Sequence, residues 1–118
     1  MSALSLIRWW MLAEAAAFVV ASVVHTGVLV TGYEHRQARI AEAVIAVVLL
    51  GGAVVGWLNV SWTRRAALIA HGFALIGAMV GVFTIAVGVG PRTAPDVIYH
   101  VAIIVALVWG IVLARRLR

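Results

Sequence analysis

Ala43–Thr63 reads AVIAVVLLGGAVVGWLNVSWT, 21 residues between Glu42 and Arg64 without one charge. About 20 helical residues cross ~30 Å of hydrocarbon, so this stretch predicts one complete span. The same interval test works outward in both directions. Between Arg8 and Glu34 lie 25 residues, interrupted by Glu14 and His25. Between Arg65 and Arg92 lie 26, interrupted by His71, and between Asp96 and Arg115 lie 18, interrupted by His100. The runs are continuously apolar and not alternating, which argues against a β-barrel. The spacing predicts four helices, about 7–31, 38–60, 63–89 and 95–115. Connectors this short make consecutive helices antiparallel neighbours. The expected fold class is all-α: a polytopic membrane protein, a four-helix transmembrane bundle in up-down-up-down order, with residues 1–118 as one transmembrane domain.

Composition agrees. The chain is 65% hydrophobic and only 11% charged, where a soluble domain carries about 25% charged residues. Mean hydropathy is +1.14. These values exclude a disordered tail and an ordinary cytosolic enzyme. Nine arginines and no lysine stand against four acids, a net charge of +5. The arginines flank apolar runs, so they read as topology and headgroup charges, with the lipid bilayer as partner and no nucleic acid. There is no cysteine, which excludes disulfides, thiolate metal sites and thiol redox chemistry. The first apolar run is too long for the h-region of a leader and reads as a retained span.

The turns are marked. Thr31-Gly32-Tyr33-Glu34 closes the first helix, Asn59-Val60-Ser61-Trp62 makes the second turn, and Gly88-Val89-Gly90-Pro91 ends the third helix. Thr93 reads as an N-cap, with Pro95 in the first turn and Asp96 at the positive dipole end. Arg8, Arg64, Arg65, Arg115, Arg116 and Arg118 fall on one side of the slab; Arg36, Arg39 and Arg92 fall on the other. The positive-inside rule then puts both termini in the cytoplasm, in a bacterial inner (plasma) membrane.

Ionisable groups inside a span are expensive and call for a reason. Glu14 lies six residues beyond Arg8 and His71 six beyond Arg65, so both sit ~9 Å deep from the cytoplasmic side. A contact between helices one and three is geometrically open to them. Glu14 reads as a hydrogen-bonded structural acid or, with His71, as part of a proton or substrate path. It also resembles the membrane carboxylate of small multidrug exporters, four-helix proteins of similar length. In the outer half His25, Glu42 and His100 fall at one depth on three helices, with Tyr99, Glu34 and His35 nearby. They read as separate interfacial polar groups, as ligands of a divalent metal, as a haem site through His25 and His100, or as a polar pocket for a quinone-like ligand. Glu14 and His25 are eleven residues apart, which leaves ~20° after three turns, so they share one helix face with Phe18 and Ala21. That face should point into the bundle.

Small residues repeat every four positions at Ala13, Ala17 and Ala21, at Gly52 and Gly56, and at Gly77, Gly81 and, displaced by one, Thr84 and Gly88. Such stripes let helices approach closely, within the chain or toward a second copy. Ser2, Ser5, Ser22 and Ser61 have no local His/acid motif and there is no phosphate-binding glycine loop, so the chain does not read as an enzyme by itself.

Glu42 heads a span that runs into Leu49-Leu50-Gly51-Gly52. With the Arg8-Trp9-Trp10 entrance, the Arg64-Arg65 turn and the four-span layout, this resembles the DoxX-like family of small four-helix membrane proteins. The chain departs from that pattern at His25. The resemblance implies a four-helix bundle, a loose association with quinone-linked oxidoreductase complexes, and Glu42 as a buried functional acid. Three functions follow as expectations. The first is a membrane protein binding a redox cofactor, metal or quinone-like lipophilic ligand through His25, Glu42, His100 and Tyr99. The second is a non-catalytic accessory subunit of a larger complex. The third is a homo-oligomeric transporter or channel using Glu14.

Overall fold

The computed structural model describes residues 1–117. Four helices account for most of it: α1 (Ala3–Val24), α2 (Arg36–Leu58), α3 (Thr63–Ala86) and α4 (Ala94–Arg116), with a 3-10 turn at Val60–Trp62 before α3. All four are long and apolar enough to cross a membrane, and they pack as a bundle about 44 Å long and 21–23 Å across. The chain is a four-helix integral membrane protein. Each helix packs chiefly on its neighbour in sequence, and the α1–α4 seam is thinner. Trp10 closes that seam by donating from Nε1 to the Ala106 carbonyl at 3.2 Å. The end holding the termini and the α2–α3 turn is called here the terminal end, and the opposite one the loop end.

The first helix lies closer to the N-terminus than the charge interval suggested, at Ala3–Val24 in place of about 7–31. Local chemistry sets both limits. The Ser2 hydroxyl accepts from the Ser5 N–H at 3.1 Å and starts the helix. Gly27 turns the chain into the left-handed region, φ +76°, where a side chain would also strike Glu34. Val28–Val30 then belong to the connecting loop despite their hydropathy. The other helices match their expected spans within three residues. α4 starts as its sequence dictates: the Asp96 carboxylate accepts from the Thr93 N–H at 2.9 Å and the Thr93 hydroxyl at 2.6 Å, with Pro95 in the first turn.

The interior is built from small residues interleaved with a few large ones. Ala53, Ala67, Ala74 and Ala114 are fully buried against Ile7, Met11, Leu49 and Leu107. Large aliphatics face outward instead, as Ile69 at 68% and Ile76 at 70% exposure do. That distribution suits lipid, where burying apolar surface gains little and close backbone approach gains more. The glycine stripes serve contacts inside the chain. A side chain at Gly77 would strike Ile45, and one at Gly52 would strike Ala70. Trp9 meets Trp57 edge-on at 5.6 Å, while Arg65 and Arg116 lie over Trp62 and Trp109. All five tryptophans therefore belong to the terminal half.

Candidate functional site

Two buried imidazole–carboxylate pairs lie inside the bundle, one toward each end, and α1 contributes to both. Its inward face carries Glu14, Phe18, Ala21 and His25, all buried, as the eleven-residue spacing requires. In the terminal half, His71 of α3 is fully buried and its Nε2 lies 2.8 Å from Glu14 Oε2. Its Nδ1 donates to the Ala67 carbonyl one turn back at 2.8 Å. A carbonyl only accepts, so Nδ1 carries a proton. His71 Nε2, Glu14 Oε2 and Glu14 Oε1 have no hydrogen-bond partner among the described residues. Gly110 of α4 forms the other side of this seat, and a Cβ there would overlap the His71 ring.

At the loop end His25 follows the last turn of α1. Its backbone N–H donates to the Ala21 carbonyl at 3.0 Å and its carbonyl accepts from the His35 N–H at 3.1 Å. These bonds fix the ring over α2, where Nδ1 lies 2.7 Å from Glu42 Oε2. His100, one turn into α4, donates from Nδ1 to the Asp96 carbonyl at 2.7 Å. In the neutral ring this leaves Nε2 as an acceptor. That nitrogen stands against Gly81 of α3, where a Cβ would crowd it. Tyr99 stacks edge-on against Phe18 at 6.3 Å and His100 at 5.4 Å. Its hydroxyl is buried and has no protein partner.

These groups surround one cavity of about 160 Å³ among the loop ends of the helices. His25, Glu42, Tyr99 and His100 all line it, with apolar walls from Phe18, Ile45, Ile85 and Ile103. The exposed lining residues Gln37, Ala41, Val80 and Val89 belong to α2, α3 and the loop beyond α3, so the opening lies between the loop ends of α2 and α3. Of the residues singled out from the sequence, His25, Glu42, His100 and Tyr99 thus share a cavity, and Glu14 meets His71. The two groups remain separate, with Phe18 and Ala21 filling the α1 face between them.

Size and donor set test the expected cofactors. An engineered apolar cavity of ~150 Å³ takes a benzene, so about 160 Å³ has room for one ring and not for the four pyrroles of a haem. Among the described residues no group of three His, Cys, Asp or Glu side chains could hold a metal ion. His25, Glu42 and His100 do not form such a set. Sequence reasoning missed Gly81 and Gly110 as seats for imidazoles, and the capping role of His35, whose Nδ1 accepts from the Ala38 N–H at 3.3 Å at the start of α2 on the cavity wall. A glycine within an apolar helix carries no sign of which ring will lie against it. Comparison of the chain with protein-family models, curated proteins and solved structures gave no match, so its functional reading rests on the geometry of this cavity.

Proposed function

We propose that the protein binds a small lipophilic molecule with a single oxygen-bearing ring, quinone-like in its head group, in the loop-end cavity. The observation that carries this reading is the Tyr99 hydroxyl, buried on the cavity wall without a partner. A buried polar group left unpaired costs about 1–3 kcal/mol. A ring carbonyl entering the cavity would accept the Tyr99 O–H. A ring hydroxyl would donate to His100 Nε2, while the His25–Glu42 pair supplies charge and polarity at the same level. Apolar walls suit the ring faces, and the opening between α2 and α3 suits entry from the bilayer. The DoxX-like character of the Glu42 helix supports the same reading through that family's association with quinone-linked complexes. Among the described residues, five arginines on the terminal side against three on the loop side support a cytoplasmic terminal end, in a bacterial inner membrane.

The test is titration of the purified protein, in lipid nanodiscs, with a short-tailed benzoquinone, followed by calorimetry. Saturable one-to-one binding is expected. Tyr99→Phe should weaken it about tenfold, the equivalent of ~1.4 kcal/mol, His100→Ala should weaken binding of the corresponding hydroquinone, whose hydroxyl donates to Nε2, and Glu14→Gln should leave both unchanged. Absence of saturable binding, or full affinity in Tyr99→Phe, would overturn the proposal.

A further inference from the structure

The two ends of the bundle differ in charge. At the loop end Arg36, Arg39 and Arg92 are balanced by Glu34, Glu42 and Asp96. The terminal end carries Arg8, Arg64, Arg65, Arg115 and Arg116, and the nearest acid in the sequence, Glu14, is buried beside His71. Among the described residues none of these five guanidinium groups reaches a carboxylate: the ion pairs are His25–Glu42 and His71–Glu14. The contacts of this group are to neutral partners. Arg8 donates to the Thr63 hydroxyl at 3.3 Å, Arg65 lies over Trp62 at 5.6 Å and Arg116 over Trp109 at 5.8 Å. Among the described residues the positive charge of this end is therefore held in place and not neutralised.

A groove of about 400 Å³ opens in the middle of it, where the start of α1, the 3-10 turn and the end of α4 converge. Its polar lining is Arg64, Arg116, Ser2 and Ser61, and its apolar lining, here called its floor, is Ala3, Leu4, Val60 and Leu117. Ser2 Oγ accepts from the Ser5 N–H, which leaves its own O–H free to donate to an anion. Two cations and a hydroxyl donor above an apolar floor match a group that is anionic at one face and hydrocarbon at the other.

We propose that this groove binds the headgroup phosphate of an anionic phospholipid. Arg64 and Arg116 engage the phosphate oxygens, for which the planar guanidinium is well shaped. Leu4 and Val60 pack against the glycerol and the first carbons of the chains. A free inorganic anion would use the arginines and leave the apolar floor without a role. Tryptophans 57, 62 and 109 mark the depth at which headgroups meet hydrocarbon.

Native mass spectrometry of protein released from nanodiscs tests this, with phosphatidylglycerol and phosphatidylcholine supplied in equal amounts. The wild type should retain phosphatidylglycerol at least tenfold over phosphatidylcholine. The double variant Arg64→Ala/Arg116→Ala should lose that preference, and the loop-end control Arg36→Ala/Arg39→Ala should keep it. Equal retention of the two lipids by the wild type would overturn the proposal without any variant. So would an unchanged preference in Arg64→Ala/Arg116→Ala. Displacement of the retained lipid by millimolar inorganic phosphate would reassign the groove to free anions and overturn the lipid assignment.

Discussion

At the scale of the residue, the histidines are governed by what lies across from them. His71 spends its Nδ1 proton on Ala67, and its Nε2 faces the Glu14 carboxylate at 2.8 Å. A glutamine at position 14 can still donate an N–H to that nitrogen, whereas a leucine cannot. Glu14→Gln should therefore fold with near-normal stability, and Glu14→Leu should lose about 1–3 kcal/mol by replacing the polar group that faces the buried Nε2 with an apolar one. Detergent-titrated unfolding followed by circular dichroism checks both, and full tolerance of Leu would place Glu14 outside the packed interior. Gly110 gives a steric version of the same test. A methyl there overlaps a fully buried ring, so Gly110→Ala should cost about 1–3 kcal/mol, in the range of an overpacked core. Gly81→Ala meets His100, which is only partly buried. It should cost less stability and show instead as weaker quinone binding. The depth rule put Glu14 level with His71 and His25 level with Glu42, because groups on neighbouring helices touch only at a common level; it also grouped His100 with the second pair, and that ring bonds the Asp96 carbonyl instead. It could not foretell the glycine seats, since a stripe of small residues reads the same whether it faces a methyl or an imidazole.

At the scale of the element, the helices were legible wherever charge and capping chemistry agreed. For α4 they did: Thr93, Pro95 and Asp96 set the start in sequence and in structure. Thr93 also meets the Tyr33 hydroxyl at 2.6 Å, tying the two loops of that end together. Thr93→Ala should cost about 1 kcal/mol for the lost cap. Faster amide exchange should follow in the first turn of α4 and around Tyr33, read by mass spectrometry; a change confined to α4 would show that the inter-loop tie contributes nothing. For α1 charge and capping disagreed. The interval from Arg8 to Glu34 is apolar enough to span as drawn, but a serine cap and a left-handed glycine decide where a helix begins and ends, and hydropathy is blind to both. The consequence is functional: because α1 stops at Val24, His25 sits past its last turn with its backbone held by Ala21 and His35, and its ring is delivered onto Glu42.

At the scale of the whole molecule, the bundle has two unlike ends. If the arginine excess sets orientation, cysteines introduced at Asn59 or Ser61 should react with a thiol reagent only from the cytoplasmic face. One placed at Glu34 or Arg92 should react only from the opposite face. The reverse pattern would invert the assignment of every inside and outside position while leaving the cavity where it is. The indole rings add an optical counterpart to this asymmetry. With all five tryptophans in one half of the slab, and Tyr33 and Tyr99 in the other, the molecule carries its indole fluorophores on one leaflet alone. Its emission should dim when a brominated or spin-labelled lipid is placed in the leaflet around the terminal end, and stay bright when the same quencher is confined to the other leaflet. The protein is thus a built-in reporter of lipid asymmetry, with no label attached.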